Sequence, residues 1–345
     1  NAKALTVGAI TGTDKLASVT VTSAASSAIT TGALVDADGL TSLTLTGTGG
    51  NITFGALAND NAANNAEDLA TITLAATSGS TIALGDIFAD SVADAGAGTS
   101  DLDLVITAST DSTSSVDFDA IANNEGTITV TATGSGDFDI GTATSTLATA
   151  TLTANLSAAT GTNTVNIVDV TGSGSITLAA GDGADTIVLG LGGVVSVTGF
   201  ETGTGGDVIA IDLSATVAMD ANSAALGVTA AGATTLVDVT GNAQTNTSGE
   251  IFILTGTSFA TTALAEAAIE ATGTRDLTFD ANITAGDDVI FVWSDGANSH
   301  VGIFDVTATA GSQASAGALT ELIELVGVDV STAGTITAAN FSIVA

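Results

Sequence analysis

A 24-residue beat of short alternating segments constrains this chain more than any other feature. Val19 to Leu43, Leu104 to Ile128, Ile128 to Leu152 and Leu152 to Ile176 are each separated by 24 residues. Leu43 to Ile72 and Ile72 to Leu104, at 29 and 32 residues, read as the same unit carrying loop insertions. Each beat falls on a run such as Ser18-Val19-Thr20-Val21-Thr22 or Thr127-Ile128-Thr129-Val130-Thr131, in which aliphatic residues alternate with Thr or Ser. Period-two alternation puts the aliphatics on one face of a strand and the hydroxyls on the other. A second alternating run follows about ten residues later in several units (Ile52 and Phe54, Ile82 and Leu84, Val116 and Phe118, Phe138 and Ile140). One such unit cannot bury its apolar face alone, whereas stacked units can.

The spacing therefore predicts an all-β fold: a β-solenoid or β-roll of stacked strands over residues 1–178. A C-terminal β-rich module over 179–345 follows, with one short helix. Tandem β-sandwich domains built from antiparallel hairpins are the alternative. The helix is expected over Thr261–Ala271, capped by Thr261 or Thr262 and ended by Gly273, with Leu264, Ala268 and Ala271 on one face. Strands return at Asp288–Trp293 and Val301–Phe304, and Trp293 is expected in the core.

Composition narrows the function. The chain has 37 acidic residues against 3 basic ones, Lys3, Lys15 and Arg275, a formal net charge of −34. Such a chain is repelled by nucleic-acid phosphates and anionic membrane surfaces, so neither is an expected partner. No run approaches the roughly 18 apolar residues of a membrane-spanning helix, so no membrane insertion is expected. The acid is mostly Asp, which favours turns and hard cations. Absent Pro suits long β ladders, and absent Cys removes disulfides and thiol chemistry.

No enzyme is expected. His300 is the single histidine, expected at a surface or turn, which excludes a paired-histidine zinc site. There is no Gly-x-Ser-x-Gly elbow, no phosphate-binding Gly-Lys-Ser/Thr loop, and no Tyr or Cys. Aromatics are only 3% of residues, too few for the stacking surfaces of a sugar-cleaving cleft.

Two patterns of carboxylates point to calcium. The first is Gly181-Asp182-Gly183-Ala184-Asp185-Thr186-Ile187-Val188, where glycines permit a tight turn and close approach of carbonyls. Looser versions are Gly203-Thr204-Gly205-Gly206-Asp207-Val208-Ile209 and Gly286-Asp287-Asp288-Val289-Ile290. The second is the Asp-x-Asp pairs: Asp36 and Asp38, Asp101 and Asp103, Asp117 and Asp119, Asp137 and Asp139. With Phe118 and Phe138 inward, both carboxylates of each flanking pair point outward. Stacked about 4.8 Å apart, these four would form a ladder that a bridging cation relieves of repulsion.

The Gly181–Val188 segment resembles the nonapeptide of repeats-in-toxin proteins, and the whole chain is similar in composition to type I-secreted bacterial surface-layer and matrix proteins. The resemblance implies that Asp185 ligates Ca²⁺ and Ile187 enters the core. Gly181, Asp182 and Gly183 would shape the turn and offer carbonyls. Ala180 stands where the family has its first Gly, and the next unit, Gly190–Val195, has no Asp in register. The tail, ending Ala339-Asn340-Phe341-Ser342-Ile343-Val344-Ala345, is similar to uncleaved C-terminal secretion signals, in keeping with the lack of a visible N-terminal signal peptide. The resemblance implies a secreted, cell-surface protein that folds on meeting calcium. The expected function is a self-assembling subunit of a surface layer or extracellular filament. Its partners are copies of itself, with cell-surface polysaccharide as a further one. A calcium-dependent adhesin, with its binding tip between about 214 and 285, is the alternative, and a carrier domain of a secreted enzyme is a third reading.

Overall fold

The computed structural model describes residues 3–11, 16–35, 39–57, 69–90, 103–123, 127–145, 151–167, 169–170, 174–178, 183–189, 193–212, 236–241, 244–245, 251–278, 288–310 and 313–344. The chain forms two compact units, Asn1–Ile187 and Val188–Ala345. Strand dominates both. Among the described residues, no helix is long and apolar enough to cross a membrane.

In the first unit, successive runs go alternately to two sheets. One sheet takes, in order, Ser18–Ala24, Ser42–Thr48, Thr71–Thr77, Leu104–Thr110, Ile128–Gly134, Leu152–Ala159 and Gly174–Thr177. The other takes Ala4–Val7, Ala28–Thr31, Asn51–Phe54, Thr81–Leu84, Ser115–Asn123, Asp137–Ser145 and Asn163–Asn166. Every pair whose register is described runs parallel. The antiparallel hairpins of a sandwich are therefore not how these strands pair. A parallel neighbour requires a crossover, which the intervening run in the other sheet supplies.

Aliphatic residues stack across the strands as the alternation requires. Leu43, Ile72, Ile106, Val130, Ala154 and Ile176 are successive register partners, each at most 1% exposed. The facing sheet stacks Ile52, Ile82, Val116 and Phe138 in the same way. The register departs from the 24-residue reading in two places. Ile72 pairs with Ile106 rather than Leu104, and Ile176 pairs with Ala154 rather than Leu152. Both slips are of two residues, which leaves every side chain on its own face and so goes unseen in a hydropathy pattern.

The second unit is built differently. Asp288–Ser294, Ser299–Ala310 and Gln313–Val326 form an antiparallel meander, and Ile251–Leu254 and Leu236–Val239 add parallel strands beside it. Val195–Thr198 pairs in parallel with Gln313–Val326, and Val208–Asp212 with Phe341–Val344. The core is aromatic: Phe252 lies 5.5 Å from Phe291, which meets Phe304 edge-on at 6.0 Å, beside the buried Trp293.

The helix runs Thr262–Ile269. Thr261 caps it, its Oγ1 accepting from the Leu264 N–H at 3.3 Å. Ala265, Ala268 and Ile269 face the core, whereas Leu264, grouped with Ala268 on one face by its spacing, is 54% exposed. The helix stops at its C-cap Glu270, ahead of the Gly273 expected from sequence; Gly273 instead lies close against the last turn, where a Cβ would come 2.2 Å from the Ala268 carbonyl oxygen.

Candidate functional site

The carboxylates singled out by sequence fall into three situations. Asp36, Asp38, Asp101, Gly181, Asp182 and Asp287 lie outside the described residues. For Asp288 only the backbone is described; it opens its strand opposite Asp305. The others can be placed.

Asp185 is buried, and its carboxylate turns toward the preceding turn of the chain. Oδ1 accepts from both the backbone N–H and the side-chain Nδ2 of Asn163, each at 2.8 Å. Asn163 is the register partner of Phe138, so it takes the next place in the inward stack of Ile52, Ile82, Val116 and Phe138. Its Nδ2 also donates to the Gly161 carbonyl at 3.1 Å, while its Oδ1 is buried without a hydrogen-bond partner. Gly183 packs against the Gly161 backbone. Calcium takes six to eight oxygens. The described donors here are fewer, and Asp185 Oδ1 is already engaged by two N–H groups, so these residues alone do not make a calcium shell. Among the described residues, no group of three or more His, Cys, Asp or Glu side chains is placed to hold a metal ion.

Asp207 is fully buried and fixes its own loop. Oδ2 accepts from the Glu201 N–H at 2.7 Å, and the Asp207 N–H donates to the Glu201 carbonyl at 2.8 Å. Gly203 and Gly205 supply the left-handed backbone the loop needs, at φ of 89° and 84°. Asn340 locks the loop to the C-terminal strand: its Nδ2 donates to the Asp207 and Glu201 carbonyls at 2.9 and 3.2 Å, and its Oδ1 accepts from Gly203 N–H at 2.7 Å. The Asp185 carboxylate thus pairs with an Asn of a neighbouring strand, whereas the Asp207 carboxylate holds the backbone of its own loop, which Asn340 braces through main-chain carbonyls. A sequence signal accompanies them: Asn163, Asp185 and Asp207 recur at 22-residue intervals, Asn163 opening its strand and the two aspartates immediately preceding theirs.

The Asp-x-Asp pairs of the first unit sit two residues out of phase. Val116 pairs with Phe138, so Asp117 lies opposite Asp139, while Asp137 lies opposite Ser115. The expected ladder of four therefore reduces to Asp117, Asp119 and Asp139. Burial, then mutual repulsion, raises Asp117 above the ordinary carboxylate value through Asp119, and raises Asp139 through Asp117 and Asp119. Asp137 instead accepts from Thr162 N–H at 3.0 Å, and Asp103 from Thr127 N–H at 3.1 Å. These belong to a recurrent device in which a polar side chain caps a backbone N–H one strand away. Asn51 with Thr81, Ser114 with Ser80 and Thr110 with Gly136 do the same. Asp111, not singled out from sequence, joins it: hydrogen bonds from Ser78 N–H, then Ser114 and Thr113, hold its carboxyl well below the usual range.

A second constellation surrounds His300. Its ring stacks on Trp293 at 5.3 Å, Nδ1 bonds Glu321 Oε1 at 2.8 Å, and Nε2 lies 3.6 Å from Asp295 Oδ2. Thr262 Oγ1 donates to Glu321 Oε2 at 3.0 Å. The residue is half-buried on a strand, not at a free turn, because Trp293 is its cross-strand partner. Burial disfavours its charged form, but Glu321, Asp295 and Glu324 outweigh burial and raise its pKa above 6.5. The two ring nitrogens engage different carboxylates, so the group clamps strands together and does not converge on one point.

Comparison with known proteins is silent: no family model, no curated protein and no solved structure matches the chain.

Proposed function

We propose that this is a non-enzymatic, self-associating structural protein of the bacterial cell exterior, a subunit of a calcium-stabilised surface layer or filament. In this reading the Asn1–Ile187 unit is a β-solenoid, and the Gly181–Val188 resemblance to repeats-in-toxin segments marks secretion and calcium response. The observation that carries it is the open ladder of parallel strands in the first unit. Ala4–Val7 ends its sheet among the described strands, pairs only with Ala28–Thr31, and is exposed along most of its length, with Leu5 57% exposed. An uncovered edge offers unpaired N–H and C=O groups to another strand. A net charge of −34 opposes association, and divalent cations relieve it at coupled carboxylates such as Asp117 and Asp139. The test is sedimentation velocity with negative-stain microscopy in calcium, after chelation, and after calcium is restored. Calcium-reversible polymers that deletion of residues 1–15 abolishes support the reading. Monomers under all conditions, or polymers indifferent to both treatments, reject it.

One feature favours a ligand-binding module as a second reading. An open groove of about 380 Å³ beside the helix is lined by Ser258, Phe259, Leu264, Ala267, Ala268 and Thr274. It falls in the region where a binding tip is expected from sequence. A monomer in calcium that binds a glycan, and loses it on Leu264→Asp, would support this reading over assembly.

A further inference from the structure

The seven strands of the first sheet of the Asn1–Ile187 unit, from Ser18–Ala24 to Gly174–Thr177, contain no Asp, Glu, Lys, Arg or His. In a chain with 37 acidic residues this is a pronounced depletion. The other sheet of the unit carries Asp117, Asp119, Asp137 and Asp139 on its strands, so the two outer faces differ in kind. The charge-free face is also regular. Thr20, Thr44, Thr73, Thr107, Thr131, Asn155 and Thr177 are successive register partners across all seven strands. A parallel column runs Ser18, Ser42, Thr71, Val105, Thr129, Thr153 and Ser175. All of these side chains are exposed or half-exposed, including Val105 at 39%. Charges stand at the rim instead: Asp103 just before Leu104–Thr110, and Asp111 just after it.

We infer that this hydroxyl-lined face is a lateral interface that receives the same face of a second copy of the chain. The inference rests on the self-association reading and adds to it a side-to-side contact distinct from the edge at Ala4–Val7. Three arguments select a second copy. A hydroxyl both donates and accepts, so a Ser/Thr array is complementary to itself, whereas a carboxylate face is not. Two chains of net charge −34 can approach closely only where neither presents charge, and a charge-depleted centre with a charged rim is the usual build of an interface. Seven strands about 4.8 Å apart and about 20 Å long give roughly 600 Å² of flat face per partner, so about 1,200 Å² in all, at the threshold of a specific pair. A glycan is the poorer fit, because these strands offer no aromatic residue to stack on a sugar ring. Two-fold pairing of identical faces closes on itself, so it yields dimers; growth into a layer or fibre still needs the edge.

The test places charge on the face of the full-length chain. Thr73→Asp with Thr131→Asp is one variant and Thr73→Lys with Thr131→Lys the other; the two strands are not adjacent, so the new charges do not repel along a ladder. Circular dichroism checks that both fold. Sedimentation velocity of the chain deleted of residues 1–15, which isolates lateral pairing, is expected to show dimers. Each charged variant on that background is expected to pair at least tenfold more weakly. An equal mixture of the Asp and Lys variants is expected to recover mixed dimers, which a merely structural effect would not do. Dimers unaffected by the charges overturn the inference but leave edge-driven assembly standing. So does a monomer that binds insoluble polysaccharide through this face, shown by loss of binding in both variants. Absence of any association in the intact chain overturns both.

Discussion

The two units bury polar groups by the same device but build their cores by different rules. In Asn1–Ile187 the core is a set of aliphatic columns such as Leu43, Ile72, Ile106 and Val130, in which each member sees nearly the same surroundings as the next. In Val188–Ala345 an aromatic assembly gathers around Trp293, Phe252, Phe291 and Phe304, and strands far apart in sequence, such as Leu236–Val239 and Gln313–Val326, must meet to complete it with Val239 and Leu319. A column spreads its stability over nearest neighbours, so one defect is local. An assembly concentrates it, so one defect is felt throughout. Charge follows the same division: the repetitive unit keeps one outer face free of charge, while the second unit places its histidine among carboxylates.

The largest expected effect comes from striking the aromatic assembly. Trp293→Ala removes a side chain that is 1% exposed and supports the stacked His300. It should cost roughly 3–5 kcal/mol, and amide exchange should rise across the whole of Val188–Ala345. Ile82→Ala, fully buried in the repetitive unit, should cost about 2–4 kcal/mol, with exchange rising mainly in Asn51–Phe54, Thr81–Leu84 and Ser115–Asn123. Equal spreading of the exchange change in both units would break the distinction between columns and assembly.

Next in size are the two buried aspartates, Asp185 and Asp207, which sharpen the comparison by asking whether calcium distinguishes them. Asp185→Ala strands two donors of Asn163, at a cost of about 2–4 kcal/mol. Asp207→Ala strands the Glu201 N–H, at about 1–3 kcal/mol. If Asp185 acts with calcium as the family resemblance implies, its substitution should cost more in calcium than in chelator, whereas Asp207→Ala should cost the same in both. Equal costs at Asp185 would make both aspartates purely structural, as their hydrogen bonds by themselves suffice to explain. Denaturant unfolding of both variants with and without calcium reads the difference.

What could be read from sequence follows the same line. The alternation of Ser42–Thr48 or Thr71–Thr77 reports burial directly, because period two is imposed by the pleat, so strands and inward residues of the first unit were legible. Register was legible only to within two residues, since Leu104 and Ile106 are equally apolar and face the same way. The same two-residue ambiguity in the facing sheet, where Val116 and not Phe118 pairs with Phe138, is what displaced Asp137 from the ladder expected with Asp117, Asp119 and Asp139. The roles of Asp185 and Asp207 were not legible, because a buried Asp that accepts N–H bonds and a calcium-binding Asp share the same Gly-rich surroundings. Only the surrounding donors separate them: Asn163 for Asp185, the Glu201 N–H for Asp207, and Asn340, 133 residues away, which braces the Asp207 loop through its backbone carbonyl. The His300 clamp escaped for the same reason: Glu321 and Asp295 join it through strand pairing, not through a local motif. Leu264 shows the limit for a short helix: spacing puts it on one face with Ala268, yet Ala268 is buried and Leu264 is 54% exposed.

The smallest effects are on pH, and they separate the units by window rather than by sign. Asp117 and Asp139 have pKa values raised above 3.8, chiefly by burial and then by repulsion, so the folded first unit holds their protons more tightly than the unfolded chain does. That contribution is full below 3.8 and is lost as pH rises through the folded values. His300 is raised above 6.5, so its contribution to the second unit is full below 6.5 and is lost as pH climbs through its own folded value. Glu321 bounds the same clamp from the other side. Burial raises its pKa, the His300 contacts outweigh that, and the net value falls below 4.5, so its contribution is lost as pH falls through the depressed value. The His300–Glu321 clamp is thus strongest between these limits. Exchange measured unit by unit from acid to mild alkali should show the first unit losing the Asp117 and Asp139 contribution as pH rises above 3.8, and the second unit losing the Glu321 contribution below 4.5 and the His300 contribution above 6.5. His300→Gln should erase the change above 6.5 and leave that of the first unit, whereas Asp139→Asn should lessen the first unit's change, since burial and Asp119 still raise Asp117, and leave the one above 6.5. A His300→Gln chain whose second unit still weakens above that pH would mean that other groups govern it, and that the clamp is a matter of packing on Trp293 alone.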